Sequence, residues 1–260
     1  LNTTEVTNYQ GQKFYFIQEP LGYKQTSWKG SEKPREVMVK VEQTYGPSSG
    51  KQSATIKIYQ SYGAKREAIA TYYQWGRKDA FNGLIGSSGR VVFLTIPSTI
   101  ANCIQNPDKR YSIDFKSYDM AKINLWSMEY VDSRDADYSV KTIYDPCPAG
   151  FKIPEEEAFT GFTTTGRFTY KQNEFNVTGS YNEGWNFNNK LANHDATVFF
   201  PALGLREKYS ELESFGQAGY YWVATGPADN GNCFFFESTT IQPQYGDYRF
   251  YTQTVFPVAE

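Results

Sequence analysis

Apolar residues fall on every second position of Glu36-Val37-Met38-Val39-Lys40-Val41-Glu42, and the pattern returns in Ala54-Thr55-Ile56-Lys57-Ile58-Tyr59-Gln60. A period of two gathers the apolar side chains of a run on one face of an extended strand, which a helix cannot do. Between the runs lies Gly46-Pro47-Ser48-Ser49-Gly50, a set of turn-forming residues, so the two runs are expected to pair as an antiparallel hairpin. Lys13-Phe14-Tyr15-Phe16-Ile17-Gln18 reads as a further strand, ended by Pro20 and Gly22. So do 198–203, 219–224, 233–237 and 247–258, with turns at 226–231 and 243–246, while 91–96 is an apolar run.

Only two helices are predicted. Ser98 can cap a short one through Ile104 that Pro107 stops. A second starts at Pro154, whose fixed φ suits a first turn, with Glu155, Glu156 and Glu157 at the positive end of the dipole, and it ends before Gly161. Gly and Asn then punctuate the chain from 161 to 193, which implies long loops rather than regular structure. Together these elements predict an α+β fold with antiparallel pairing.

Aromatic residues make up 17% of the chain, and their flat rings suit half-buried pleated surfaces, with the Tyr hydroxyl free to meet water or a ligand. Core packing accounts for most aromatics in most domains, so the count assigns no function. A chain of 260 residues can bury one large core or two modest ones. Polarity rises and the pattern fades from Ser61 to Thr71, which places a boundary near Tyr62, giving a β-rich segment 1–61 and a larger domain 62–260. The first segment holds too few strands for a sandwich of about seven, so either earlier strands are missing or these pack on the rest. The first residue is Leu1 rather than Met, so a leader or anchoring signal is expected to lie outside this chain.

A formal net charge of -2 gives no long-range attraction for nucleic acid or anionic lipid, and no apolar run approaches the ~20 residues that span a bilayer. Neither nucleic-acid binding nor direct membrane insertion is expected. Cys103, Cys147 and Cys233 are too few for a disulfide scaffold; Cys147 and Cys233 can pair in an oxidising compartment, or all three can remain thiols. His194 is the single histidine and has no nucleophile motif beside it, so it reads as a surface-loop residue. The scattered Cys and lone His give no zinc spacing. Glu155 to Glu157 read as a helix-start cluster rather than a glycosidase pair. No catalytic residue, no metal and no cofactor is predicted.

Tyr144-Asp145-Pro146-Cys147-Pro148-Ala149-Gly150-Phe151-Lys152-Ile153-Pro154, followed by Glu157 and Phe159, resembles the DPCPxGfxxP signature of fimbrillin-associated, FISUMP-type (major paralogous) domains. Tyr72-Tyr73-Gln74-Trp75-Gly76-Arg77-Lys78-Asp79 and Asn124-Leu125-Trp126 match the same family upstream. Phe200-Pro201-Ala202-Leu203-Gly204-Leu205-Arg206, Gly219-Tyr220-Tyr221-Trp222 and Val255-Phe256-Pro257-Val258 follow in the family order. The resemblance covers about residues 70–260. It implies a C-type-lectin-like fold, in which a twisted antiparallel sheet and two short helices support long loops. It also implies export to the cell surface or outer membrane, anchored through a segment not in this chain, within a lipoprotein or pilus protein. Residues 1–61 are similar to the closing strands of the immunoglobulin-like module that precedes such domains. Relatives end in a Val-Arg-Pro-Val-like strand; Phe256 stands in place of that Arg, whose ion pair would be missing or replaced through Arg249.

Calcium-dependent lectins use an acidic-Pro-Asn triplet and a Trp-Asn-Asp strand, whereas this chain has Gln242-Pro243-Gln244 and no such strand. Asp229 and Asn230 alone fall short of the roughly six oxygens a hard cation needs. Formylglycine-generating enzymes share the lectin-like architecture but need a close reactive cysteine pair, which nothing in the spacing supplies.

On the lectin-like reading, the C-terminal strands and loops carry the ligand. The candidates are Asn230, Asn232, Gln242, Gln244, Tyr245, Asp247, Tyr248 and Phe250, a set rich in Tyr, Asn and Asp like a paratope. The plain alternative is a solvated hairpin. If 247–258 is one strand, Tyr248, Phe250, Thr252, Thr254 and Phe256 share a face, and Arg249, Tyr251, Gln253 and Val255 the other. Some lectin-like domains of this type are variable proteins of diversity-generating retroelements, and these residue types are compatible with that use. The function expected is a non-enzymatic surface adhesin contacting a glycan or protein, with other pilus subunits as a further partner class. Rival readings are a structural pilus subunit assembling by strand addition and a carbohydrate-active enzyme.

Overall fold

The computed structural model describes residues 2–25, 36–44, 51–59, 68–82, 92–94, 100–107, 109–111, 125–127, 139–207, 212–225 and 230–260. They divide into two units, Leu1–Lys24 with Ile69–Glu260, and Gln25–Ala68. The smaller unit contains the predicted hairpin: Glu36–Thr44 pairs antiparallel with Lys51–Tyr59, and Val37, Val39 and Val41 stand opposite Ile58, Ile56 and Ala54. The alternating apolar positions of both runs are thus matched across the ladder, which fixes the register. The intervening turn residues 45–50 and residues 61–67 of the 61–71 linker candidate lie outside the described residues.

The larger unit does not begin near Tyr62. Thr3–Thr7 pairs with Lys13–Ile17, Phe16 pairs with Val258, and Phe151–Lys152 closes the other side of Val258–Ala259 in one four-stranded sheet. Phe16 is fully buried, its ring 5.6 Å from Phe159, 5.8 Å from Phe200 and 5.7 Å from Phe256. The N-terminal hairpin therefore supplies core to the C-terminal body instead of joining the segment that follows it. Loss of pattern near residue 62 marks a change of polarity, and it carries no information about which earlier strands return to which core.

The core itself is a box of rings. Phe159 stacks on Phe234 at 4.8 Å, Phe162 stacks on Phe187 at 4.3 Å, and Phe200 meets Phe162, Phe187 and Phe234 edge-on. Stacked and edge-to-face contacts add roughly 0.5–1.5 kcal/mol per pair beyond the area buried. A second cluster joins Trp75, Trp126 and Trp222 to Tyr73, Cys147, Ile153, Cys233 and Val255. Its indoles sit 5.0 Å and 5.3 Å from Trp75, and Gly231 lies under them where a Cβ would come within 2.8 Å of Trp75.

The expected α+β, C-type-lectin-like class is overturned: the described residues are mostly β, arranged in several antiparallel sheets. Their only α-helix is the six-residue Ile100–Gln105, close to its predicted place, although the proposed cap Ser98 lies outside the described residues. Arg77 holds the far end of that helix, donating to the carbonyls of Cys103, Asn106 and Lys109. The second predicted helix is a 3-10 segment, Glu156–Phe162, that runs through Gly161, and a shorter one follows at Gln172–Glu174.

Every residue of Glu156–Phe162 is buried, and Gly161 is pressed so close to the N-terminal hairpin that a Cβ would lie 2.3 Å from the Thr7 carbonyl. The three glutamates stand at the start of this segment, and all three are buried. Glu155 accepts from the Ser139 amide and hydroxyl and from Lys152, and Glu157 accepts from Gln10 and Gln244.

The stretch 161–193, expected to be loop, contains Val177–Thr178 and Gly184–Asn188, which build a three-stranded antiparallel sheet with Thr197–Pro201. Its asparagines are structural. Asn176 donates to the Gly161 carbonyl at 2.8 Å and accepts from the Asn188 amide at 3.1 Å, satisfying backbone that a loop would leave to water.

The Asp145-Pro146-Cys147-Pro148 motif is a staple. The Asp145 carboxylate accepts from the backbone amides of Cys147 at 2.7 Å and Ile153 at 2.9 Å, and the Lys141 ammonium donates to the carbonyls of Cys147, Pro148 and Phe151. This fixes Phe151–Lys152 for pairing with Val258–Ala259.

Candidate ligand-binding face

Ala218–Trp222, Gly231–Glu237 and Thr240–Asp247 form a three-stranded antiparallel sheet. Tyr221, Phe234 and Phe236 point from one face into the phenylalanine box. On the other face Trp222 and Cys233 are covered by the tryptophan cluster, while Tyr220 and Phe235 further along stay half-exposed.

Cys233 pairs with Tyr245 but Phe235 pairs with Gln242, so the third strand carries one extra residue in a bulge. Gln242 and Tyr245 differ by an odd number of positions and would otherwise face opposite ways; the bulge brings both to the open face. The result is a row of rings, with Tyr220 to Phe235 at 4.9 Å, Phe235 to Tyr245 at 5.3 Å and Tyr220 to Tyr245 at 6.5 Å.

Beyond Asp247 the chain does not continue as a strand. It turns at 248–251, closed by the Tyr251 amide donating to the Tyr248 carbonyl at 2.9 Å, and resumes pairing only at Thr252–Gln253. The alternation expected for 247–258 fails here: Thr252, Gln253, Thr254, Val255 and Phe256 are all buried, flanked by sheet on more than one side. The turn presents a second group of rings. Tyr248 stacks on Phe250 at 5.1 Å, Tyr251 meets Phe250 edge-on at 4.8 Å, and Tyr248 is 51% exposed. Tyr220, Tyr245 and Tyr251 all lean on the tryptophan cluster, which gives the open rings a rigid backing.

The eight predicted residues thus separate. Gln242, Tyr245, Tyr248 and Phe250 reach the open side. Asn232 and Asp247 are buried, Asn230 is half-buried beside Gly246, and Gln244 is committed to Glu157 at 2.8 Å. Tyr220, Phe235 and Tyr251 join the face although composition did not single them out. Tyr220 and Phe235 sit in runs so apolar that they read as core strands; only the pairing register reveals which end of each strand is left open.

Burial, reinforced by the neighbouring Asp247, pushes the phenols of Tyr220 and Tyr245 upward, and burial with Glu207 and Asp247 raises Tyr251 to about 12. All three hydroxyls remain protonated donors at neutral pH. Asp247 is itself raised to about 7, chiefly by burial and further by Glu207.

Comparison with protein-family models, curated proteins and solved structures finds no match. Among the described residues, reactive groups elsewhere are few. His194 is exposed on the connection between Gly184–Asn188 and Thr197–Pro201. The three cysteines are buried, and burial holds the Cys147 and Cys233 thiols well above their ordinary value, away from the reactive thiolate. Among the described residues no three His, Cys, Asp or Glu side chains converge on a metal site, and no helix is long and apolar enough to cross a membrane. Asp229 lies outside the described residues.

Proposed function

We propose that this chain is a non-catalytic binding protein of the cell surface that contacts a glycan or protein ligand through its C-terminal aromatic face. The observation that carries this reading is the open set of six rings, Tyr220, Phe235, Tyr245, Tyr248, Phe250 and Tyr251, backed by buried tryptophans. Rings held in place before contact lose little freedom on binding, and tyrosine adds a donor to each apolar surface. The resemblance of 70–260 to fimbrillin-associated domains is the basis for the surface location and for an adhesive role within a pilus or lipoprotein.

Strand addition is less well supported at two edges of the larger unit, which are engaged within the chain. The Thr7 amide donates to the Asn189 carbonyl at 2.8 Å and the Asn189 side chain donates to the Glu5 carbonyl, so the outer edge of Thr3–Thr7 is engaged. On Thr240–Asp247, Ile241 exchanges both backbone bonds with Thr169, and the next outward position is Pro243, which has no amide to offer. A glycosidase reading is weakened by the commitment of Glu155 and Glu157 to structural partners.

The test is a glycan and protein binding screen of the wild type beside a Tyr245→Ala/Tyr248→Ala double variant, with circular dichroism showing equal folding. Loss of a wild-type signal by about tenfold or more in the variant supports this face, since hot-spot aromatics contribute ~1.4 kcal/mol or more. An unchanged signal moves the site elsewhere, and silence from both proteins favours the structural-subunit reading.

A further inference from the structure

The turn 248–251 is held at both ends by one pair of buried side chains. Asp247 precedes it and Gln253 follows it, and the Gln253 amide nitrogen donates to Asp247 Oδ2 at 2.6 Å. The other carboxylate oxygen, Oδ1, accepts from the Tyr248 amide at 2.8 Å, the first backbone group of the turn. Gln253 is fully buried, and its own carbonyl oxygen Oε1 has no hydrogen-bond partner in this arrangement.

The arrangement fits an ionised Asp247, which only accepts. A neutral carboxylic acid must place an O–H somewhere, and the NH2 group facing it cannot receive that proton. Rotation of the Gln253 amide by half a turn presents the idle Oε1 instead and satisfies the acid. The two charge states of Asp247 therefore favour opposite settings of Gln253.

We propose that Asp247 and Gln253 form a proton-operated latch beneath the aromatic turn, one setting for the ionised and one for the neutral acid, so that contact through Tyr248, Phe250 and Tyr251 is regulated by pH. The regulatory part rests on the reading of this face as the contact surface; the latch does not. The titratable and charged groups around it are Cys233 on the neighbouring strand with Glu156 beyond it, Tyr220, Tyr245, Glu207, and Tyr248, Arg249 and Tyr251 in the turn. The Arg249 guanidinium lies over the Trp75 ring at 5.5 Å. Burial and the like charge of Glu207 both favour the neutral acid, bringing its titration into the range where surface environments vary.

The experiment is an NMR titration of the full chain without ligand from about pH 5 to 9, spanning the shifted range. It follows the Asp247 carboxyl carbon, the Gln253 side-chain amide and the backbone amides of 248–251. The expected result is a shared midpoint near neutrality in all three, absent from the Gln253 and turn signals of an Asp247→Asn variant. A carboxyl carbon titrating in the ordinary aspartate range overturns the latch. So do a Gln253 amide or turn signals that ignore the Asp247 midpoint, or that still follow it in the variant. Because the readout needs no ligand, a working latch beside a failed binding screen would leave the latch standing and remove the contact surface.

Discussion

Asp247 carries a stability consequence that follows from its position in the latch. Its folded pKa of about 7 lies above the ordinary 3.8, so the folded state keeps its proton while the unfolded chain has released it. The stability it contributes is fully present below about pH 4, falls as pH rises towards 7, and is flat above. The full difference is on the order of 4 kcal/mol. Asp247→Asn, which can accept from Tyr248 and donate to a rotated Gln253, is expected to be more stable than wild type at about pH 8 and nearly equal to it near pH 4. Urea midpoints at the two pH values check this. Asp145→Ala should act oppositely, stranding the buried amides of Cys147 and Ile153 at a cost of about 2 kcal/mol or more, read from the same denaturation curves. Which residues line the open face was partly legible: Tyr245, Tyr248 and Phe250 stand out as large rings among Asn, Gln and Asp. Asn232 and Asp247 were indistinguishable from them because a polar side chain buried on a partner looks, in sequence, like one facing water.

The pairing elements followed the alternation where alternation existed. The hairpin of 36–59 sits where apolar periodicity predicts it, and Lys13–Ile17, Gly231–Glu237 and Ala218–Trp222 overlap runs read as strands from their apolar and aromatic content. Glu156–Phe162 is a 3-10 segment where a short helix from Pro154 is expected, and with every residue buried it has no polar stripe to set its period. Gly184–Asn188 was hidden for a different reason: Asn186 and Asn188 lack the composition of a strand, and tertiary pairing overrides that preference. The closest contact between elements is Gly161 against the N-terminal hairpin, where a methyl group would meet backbone that cannot yield. Gly161→Ala is expected to destabilise the larger unit by about 1–3 kcal/mol, measured as a lowered denaturant midpoint with an unchanged slope.

At the scale of the whole molecule the division into Leu1–Lys24 with Ile69–Glu260, and Gln25–Ala68, makes the order of the chain a poor guide to its bodies. Deleting residues 1–24 should strip Phe16 from the phenylalanine box and leave Val258 without its partner, giving a chain without cooperative thermal unfolding. Replacing 25–68 with a short Gly-rich loop should preserve that transition, because the residues removed form a unit of their own. The strand content was legible in the aromatic and alternating composition; the return of the first hairpin to the last strand was not, since local patterns carry no address. That return also sets the timetable of synthesis. Phe16 and Val258 are separated by most of this chain, so the body cannot close until Val258–Ala259 has been made and can reach the first hairpin. A nascent chain that stopped before Val258 would lack the strand that the first hairpin awaits, and would reach quality control as an unfinished chain.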